Sequence, residues 1–264
     1  MLLVIDCGNT NIVFAISEND KIIKQWRINT NIQRTADEYS VWLIKLLEIE
    51  GLDFSSISSC IIASVVPEAL LSIKIFNKKF LGLTPFIVGE KNVKLGINVN
   101  IDIPSEAGAD RLVNAVSVNK FYKKPSIVVD FGTATTFDVI GDGGSYEGGV
   151  IAPGINLSLE ALYMAASRLP RISINNEWQE NIVGKNTKHS MRSGIYWGYI
   201  SLIEGIIKRI KEENNQNYTV IATGGLSEIF SKNCSVIQVI DNNLTINGLI
   251  HLFKINNKKC LYEN

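Results

Sequence analysis

Several residue types and patterns are scarce in this sequence, and each scarcity removes a class of protein. Histidine occurs only twice, at His189 and His251, and neither has a partner at metal-ligand spacing. The four cysteines (Cys7, Cys60, Cys234, Cys260) form no CxxC pair; without a secretion signal they read as reduced thiols of a cytosolic protein. Net charge is lacking too. With 26 basic against 26 acidic side chains, nothing in the charge balance draws the chain to nucleic acid or an anionic membrane. The apolar start is broken by Asp6 and has no basic segment before it, so it is neither a signal peptide nor a membrane span. No GxxxxGK[ST] motif occurs, and no GxGxxG opens a helix after a strand, which argues against a Walker-type loop and a dinucleotide fold.

What is present is a chain of 264 residues, 46% hydrophobic, long enough for one large domain or two ordinary ones. Residues 2–5 and 12–16 read as strands around the turn "DCGNT". "TADEYSVWLIKLLEIEG" reads as an amphipathic helix with a Thr35/Glu38 capping box and a stop at Gly51. "CIIASVVP" is a buried strand ended by Pro67, followed by a helix over 68–81 and a short strand at "PFIVG". A helix begins near Asp110. "PSIVVDFGTATTFDVI" is strand, turn, strand; "GVIAPGINLSLEALYMAA" is strand, turn, helix. A long helix covers 190–213, "YTVIATGGLSEIF" is strand, glycine turn, helix, and "INGLIHLFK" is a last helix. The alternation predicts an α/β protein.

One unit occurs twice. "LVIDCGNTNIVFAI" laid over "IVVDFGTATTFDVI" matches Asp6 with Asp130, Gly8 with Gly132, Asn9-Thr10-Asn11 with Thr133-Ala134-Thr135, and Ile16 with Ile140, a constant offset of 124 residues. The expectation is two similar domains, 1–115 and 116–264, facing each other across a cleft. Each turn has the composition of an anion site. Glycine lets the backbone come close to a phosphate, and amide N–H groups and Thr hydroxyls can donate to it. A carboxylate beside phosphate repels it unless a cation intervenes, which makes Asp6 and Asp130 candidate ligands of a metal or its water shell. A single such turn is more often only a hairpin with a polar turn; two in register, with a third glycine turn at "ATGG", favour the phosphate reading.

The duplicated arrangement resembles the actin, hexokinase and Hsp70 superfamily, which implies two ribonuclease-H-like domains clasping ATP between two hairpins; "VIATGG" at 220–225 resembles its adenosine motif. Taken together, "DCGNTN", "GADRLVNAV", "DFGTATTFD", "GGVIAPG", "LP", "GKNTKHSMRSG" and "ATGG" resemble, in this order and spacing, the type III pantothenate kinases, and the likeness covers nearly the whole chain. That resemblance implies transfer of the ATP γ-phosphoryl group to pantothenate, the first step of coenzyme A synthesis, by a cytoplasmic homodimer. It implies that Asp6, Cys7, Gly8, Asn9, Thr10, Asn11, Ile12 and Val13 form the first ATP-binding hairpin, with Asp6 towards Mg²⁺-ATP, and that Thr133 is a further ATP contact. Asp130 matches the ligand of a monovalent cation, K⁺ or NH₄⁺. Gly108, Ala109, Asp110 and Arg111 match the pantothenate-binding segment, with Asp110 as the base, and Thr187 matches another substrate contact. The family pattern carries Tyr three residues before the proline of this segment. Here Ile101 stands in that place, so the Tyr contact is lost or supplied elsewhere.

The chemistry is consistent with these residue types. Phosphoryl transfer asks a protein for alignment and charge compensation, and a carboxylate within reach of an alcohol can accept its proton. Read by itself, Asp110 is also an ordinary favourable charge at a helix start. Arg168 and Arg171, flanking "LP", suit either phosphate or the solvated surface. The apolar helix "GADRLVNAVSV" is expected to supply a dimer interface beside the acceptor. Two alternatives stand beside the kinase: a non-catalytic regulatory relative, disfavoured because Asp6, Asp110 and Asp130 are all present, and a kinase for another small alcohol, kept open by Ile101.

Overall fold

The computed structural model describes residues 1–165, 169–174 and 181–257. Its strands are β1 (Leu2–Cys7), β2 (Asn11–Glu18), β3 (Lys21–Asn29), β4 (Ser59–Ser64), β5 (Phe86–Ile87), β6 (Ser126–Phe131), β7 (Ala134–Ile140), β8 (Tyr146–Pro153), β9 (Thr219–Gly224) and β10 (Val239–Ile240). Its helices are α1 (Ala36–Ile49), α2 (Pro67–Phe76), α3 (Ala109–Phe121), α4 (Ile155–Ala165), α5 (Thr187–Asn214), α6 (Ser227–Ser231) and α7 (Leu244–Asn256).

The duplication is real at the level of topology. One sheet runs β3-β2-β1-β4-β5 and the other β8-β7-β6-β9-β10, the same order built from successive strands. In both, the first two strand pairs are antiparallel and the last two parallel. The central strands β1 and β6 share one burial pattern, buried throughout except for a half-buried aspartate next to last.

The offset of 124 does not survive the turn. Cys7 pairs with Ile12 across a loop of four residues, whereas Phe131 pairs with Thr135 across a loop of three. Beyond the turn every equivalence therefore slips by one. Ile16 lies opposite Leu3, and its counterpart opposite Ile127 is Val139, not Ile140.

In the first unit, alternation along β1 and β2 sends Leu3, Ile5, Phe14 and Ile16 to one face, against Tyr39, Leu43 and Leu47 of α1 and Ile73 and Phe76 of α2. The predicted capping box of α1 is formed: Thr35 Oγ1 accepts the Glu38 amide at 3.3 Å and Glu38 Oε2 accepts the Thr35 amide at 2.7 Å. Such a cap contributes about 1 kcal/mol, less than the roughly 1.5–3 kcal/mol of each large apolar side chain buried. The cap sets where α1 starts, and the apolar face holds it on the sheet.

The chain divides into Tyr122–Asn243 and a unit made of Met1–Phe121 together with the stretch from Leu244 onward. The expected boundary at 115/116 would cut α3, a single continuous helix. The physical reason for the difference is α7. Its Ile246, Leu249 and Ile250 join Val113 and Val116 of α3 in covering Val4, Val13, Ala15, Ile61 and Ala63 on the other face of the first sheet. Leu112–Val118 are buried within this unit, so α3 is not the exposed apolar helix expected of a dimer interface. In the second unit, Ile127, Val129, Phe131 and Phe137 pack on Ile200, Ile203 and Ile207 of α5 and Phe230 of α6. Among the described residues no helix is long and apolar enough to cross a membrane.

α3 and α7 come close together at Gly248. A Cβ there would stand 2.4 Å from the Val113 carbonyl oxygen and 2.8 Å from Val113 Cγ1. Gly198, exposed in α5, has nothing within 4 Å of that point. In an open helix Gly→Ala gains about 0.8–1 kcal/mol of propensity, while overpacking costs about 1–3 kcal/mol. Gly198→Ala is therefore expected to raise the urea midpoint and Gly248→Ala to lower it, at unchanged slope. Equal shifts of the same sign would show that α7 is not seated on that glycine.

Candidate active site

Within the first unit, the functional candidates gather where β1 and β4 end. These strands are parallel, with Asp6 beside Ala63 and Cys7 beside Ser64, so both carboxyl ends lie at one edge. Ligands of open α/β sheets bind at such ends. Asp6 is half-buried there, and the turn Gly8–Asn11 follows, exposing Asn9 and Thr10. Gly8 N–H donates to the Asn11 carbonyl at 3.0 Å. Cys7, Ile12 and Val13, also expected at this hairpin, have their side chains in the cores on either face of the sheet, so only their backbone can meet a ligand. Burial pushes the Cys7 thiol up despite a hydrogen bond with Ser64, which removes it as a nucleophile.

The segment 108–111 is brought to the same edge. Val65 N–H donates to the Cys7 carbonyl at 3.1 Å, and Val65 Cγ1 lies 3.6 Å from where a Cβ on Gly108 would be. One residue thus spaces the first hairpin from the start of α3. Gly108 accepts the Leu112 amide at 3.1 Å, Ala109 opens the helix, and Asp110 sits in its first turn, half-buried, with Oδ1 accepting the Arg111 amide at 2.8 Å. A Cβ on Gly108 would be 2.6 Å from that Oδ1, so the glycine is what lets the carboxylate fold back over the helix start. Ile101 is half-buried, ahead of the short helical turn Pro104–Glu106 that leads into this segment.

In the second unit Asp130 is the last residue but one of β6, as Asp6 is of β1, with Thr223 of β9 as its parallel neighbour. The next residue on β9, Gly224, has φ +89°. A Cβ there would lie 2.6 Å from Asp130 Oδ1 and 2.7 Å from the Phe131 carbonyl oxygen. The first glycine of "ATGG" is thus required twice, by its backbone conformation and by two oxygens facing it. Thr133 is exposed at the tip of the short turn, and its carbonyl lies 2.0 Å from the Cβ position of Gly154, which seats the "APG" turn directly on the hairpin. Gly154 and Gly224 were not among the site residues expected from sequence, although "APG" and "ATGG" are the motifs that contain them. Thr187 stands on a different element, exposed at the first position of α5, where Asn186 caps the helix by accepting the His189 amide at 3.0 Å. Arg171 pairs with Glu160 at 3.1 Å and stacks over Tyr163; Arg168 and Cys260 lie outside the described residues.

Two sheets of one strand order, each ending its central strand in an Asp-x-Gly turn, define an actin-like ATPase fold. Solved structures share it. The activator of 2-hydroxyisocaproyl-CoA dehydratase from Clostridium difficile, with bound ADPNP, aligns at TM-score 0.55 and 12% identity over 100% of this chain and 98% of its own. The inorganic polyphosphate/ATP-glucomannokinase from Arthrobacter sp. strain KM aligns at TM-score 0.53 and 13% identity over 97% and 99%. Sequence carries the assignment further: the chain belongs to the type III pantothenate kinase family, whose model matches residues 2–209. A type III pantothenate kinase from Paramagnetospirillum magneticum is 52% identical over 256 residues, 97% of this chain and 98% of that protein.

The buried thiols give the fold a pH signature. Burial raises Cys7 and Cys60, and pushes Cys234 up to about 11. The folded state keeps these groups protonated while the unfolded chain releases their protons near pH ~8.5. Their contribution is fully present below that pH and is lost as pH rises towards the folded values. The urea midpoint is expected to hold between pH 7 and 8 and to fall by pH 10, less steeply in Cys60→Ala. A flat profile to pH 10 would place these thiols in contact with solvent.

Proposed function

We propose that this chain transfers the γ-phosphoryl group of ATP to pantothenate, giving 4′-phosphopantothenate and ADP in the first step of coenzyme A synthesis, as a cytoplasmic enzyme. The observation that carries the proposal is the family match combined with three retained carboxylates, Asp6, Asp110 and Asp130, each at the carboxyl end of a central strand or the start of a helix.

Asp110 acts as the base. As the pantothenate hydroxyl oxygen bonds to the γ-phosphorus, its proton passes to the Asp110 carboxylate, and the bond from that phosphorus to the β–γ bridging oxygen breaks. Arg111, beside it on the helix, offsets charge at the acceptor, and Gly108 and Ala109 let pantothenate come close to the backbone. Residues 6–13 hold ATP through their backbone and through the polar side chains of Asn9 and Thr10, with Thr133 as a further contact. Asp6 faces Mg²⁺-ATP, in part through water. Asp130 is the ligand of K⁺ or NH₄⁺, and the donor chemistry fits: its Oδ1 and the Phe131 carbonyl, both hard oxygens, come together at Gly224. When bound, such cations neutralise phosphate charge beside carboxylates. Thr187 contributes to the acceptor side, and Ile101 supplies shape but no hydrogen bond there. The enzyme works as a homodimer; apolar side chains exposed on β8 and α4, Ile151, Leu157 and Met164 foremost, offer a contact surface.

The direct test is phosphate transfer from ATP to a panel of alcohols that includes pantothenate; a better acceptor than pantothenate would overturn the substrate assignment. Asp110→Asn keeps shape and fold, and kcat is expected to fall by roughly 10²–10⁴, the range of general base catalysis. As a mere helix-start charge, Asp110 would contribute only about 0.3–1 kcal/mol of stability, and a rate loss below about tenfold with the fold intact would remove it from the chemistry. Activity is expected to need K⁺ or NH₄⁺ and to be poor in Na⁺. Equal rates in Na⁺ and K⁺ salts, with ammonium removed, would dismiss Asp130 as a cation ligand.

A further inference from the structure

The two hairpins are braced from the same place in each unit, by different means. The residue that follows the third strand is Thr30 after β3 and Gly154 after β8. Gly154 supports its turn by lacking a side chain, so that the Thr133 carbonyl can press against its backbone. Thr30 supports the first turn by hydrogen bonding. Its hydroxyl donates to the Gly8 carbonyl at 2.6 Å, and its backbone N–H donates to the Thr10 carbonyl at 2.9 Å.

These two bonds fix the orientation of two peptide planes. In a trans peptide the C=O and the following N–H point in opposite directions. Holding the Gly8 carbonyl on Thr30 therefore turns the Asn9 N–H away from Thr30, and holding the Thr10 carbonyl does the same for the Asn11 N–H. Gly8 N–H is already committed to the Asn11 carbonyl. A turn of four residues containing glycine has other backbone arrangements available, and those that turn the Gly8 carbonyl outward would present an oxygen to an anion. The side-chain bond from Thr30 selects against them.

We propose that Thr30 is a positioning residue for the phosphoryl donor: its hydroxyl holds the Gly8–Asn9 peptide with the amide, not the carbonyl, towards the ATP phosphates. This rests on the reading of residues 6–13 as the ATP hairpin. The role belongs to the side chain, because the backbone bond to Thr10 is available to any residue but proline at that position. Thr30 touches neither substrate in this scheme. Its effect is confined to the donor, since the acceptor segment 108–111 meets the hairpin through Val65 and not through the Gly8 carbonyl.

The test is the steady-state kinetics of Thr30→Val, which keeps the shape and the backbone N–H but removes the hydroxyl, with Thr30→Ala as a second variant lacking any added methyl. KM for ATP is expected to rise about five- to tenfold, the equivalent of one hydrogen bond, with KM for pantothenate unchanged and the melting temperature close to that of the parent. Thr30→Ser, which restores the donor, is expected to return KM for ATP to within twofold. A merely structural threonine would move both KM values together, or neither, and would not be rescued by serine; any of these outcomes overturns the proposal. Asp6→Asn, assayed alongside, keeps the two readings apart. If Asp6→Asn alters use of Mg²⁺-ATP and Thr30→Val does not, the hairpin binds ATP without Thr30. If neither variant affects ATP, the hairpin assignment itself is wrong and Thr30 falls with it.

Discussion

A carboxylate next to the last residue of a fully buried central strand is the constraint around which both units are built. Asp6 and Asp130 are the half-buried residues in strands that are otherwise closed to solvent. Taking a carboxylate that far out of water is costly unless charge and hydrogen bonds meet it. The surroundings follow from that demand. A glycine two residues on allows a tight turn, the parallel neighbour of β6 must place a glycine against the carboxylate, and the third strand must end close enough to hold the turn. A site for phosphate and cation is the state in which such a carboxylate ceases to be a liability.

The two copies have diverged in the turn while keeping the frame. Four residues separate the paired strands in the first hairpin and three in the second. The longer turn has side chains to offer, Asn9 and Thr10, and is tied by a hydroxyl. The shorter one is clamped by backbone contact at Gly154 and closed from the other side by Gly224. Each copy thus solves the same problem with the tools its length permits, and this fits the different parts assigned to them, nucleotide phosphates for one and cation for the other.

What could be read in the sequence was whatever is written locally. The Asp-x-Gly turns, the Thr35/Glu38 cap and the α3 segment that carries Asp110 depend on residues close together in the chain, and all were legible. The slip of register after the second turn was not, because an ungapped comparison cannot reveal a missing loop residue when both strands remain apolar. β3 was missed for a different reason. As an edge strand with one face in solvent, "KIIKQWRIN" carries mostly polar residues and no continuous apolar run. The limits of the first unit depend on contacts between residues more than a hundred positions apart, such as Gly248 with Val113. Thr30 and Gly154 have no motif of their own; their place in the site comes from where a third strand happens to end.

The return of α7 also has a consequence for how the protein is made. A chain emerging from the ribosome delivers Met1–Phe121 first, yet the sheet formed from it lacks the helix that covers one face beside α3. Tyr122–Asn243 is contiguous and can be completed in one pass, whereas the first unit must wait for the last helix. During that interval Val4, Ala15 and Ile61 lack the cover of Ile246, Leu249 and Ile250, the kind of transiently uncovered apolar surface on which chaperones act. The fold that begins first is thus the one that finishes last.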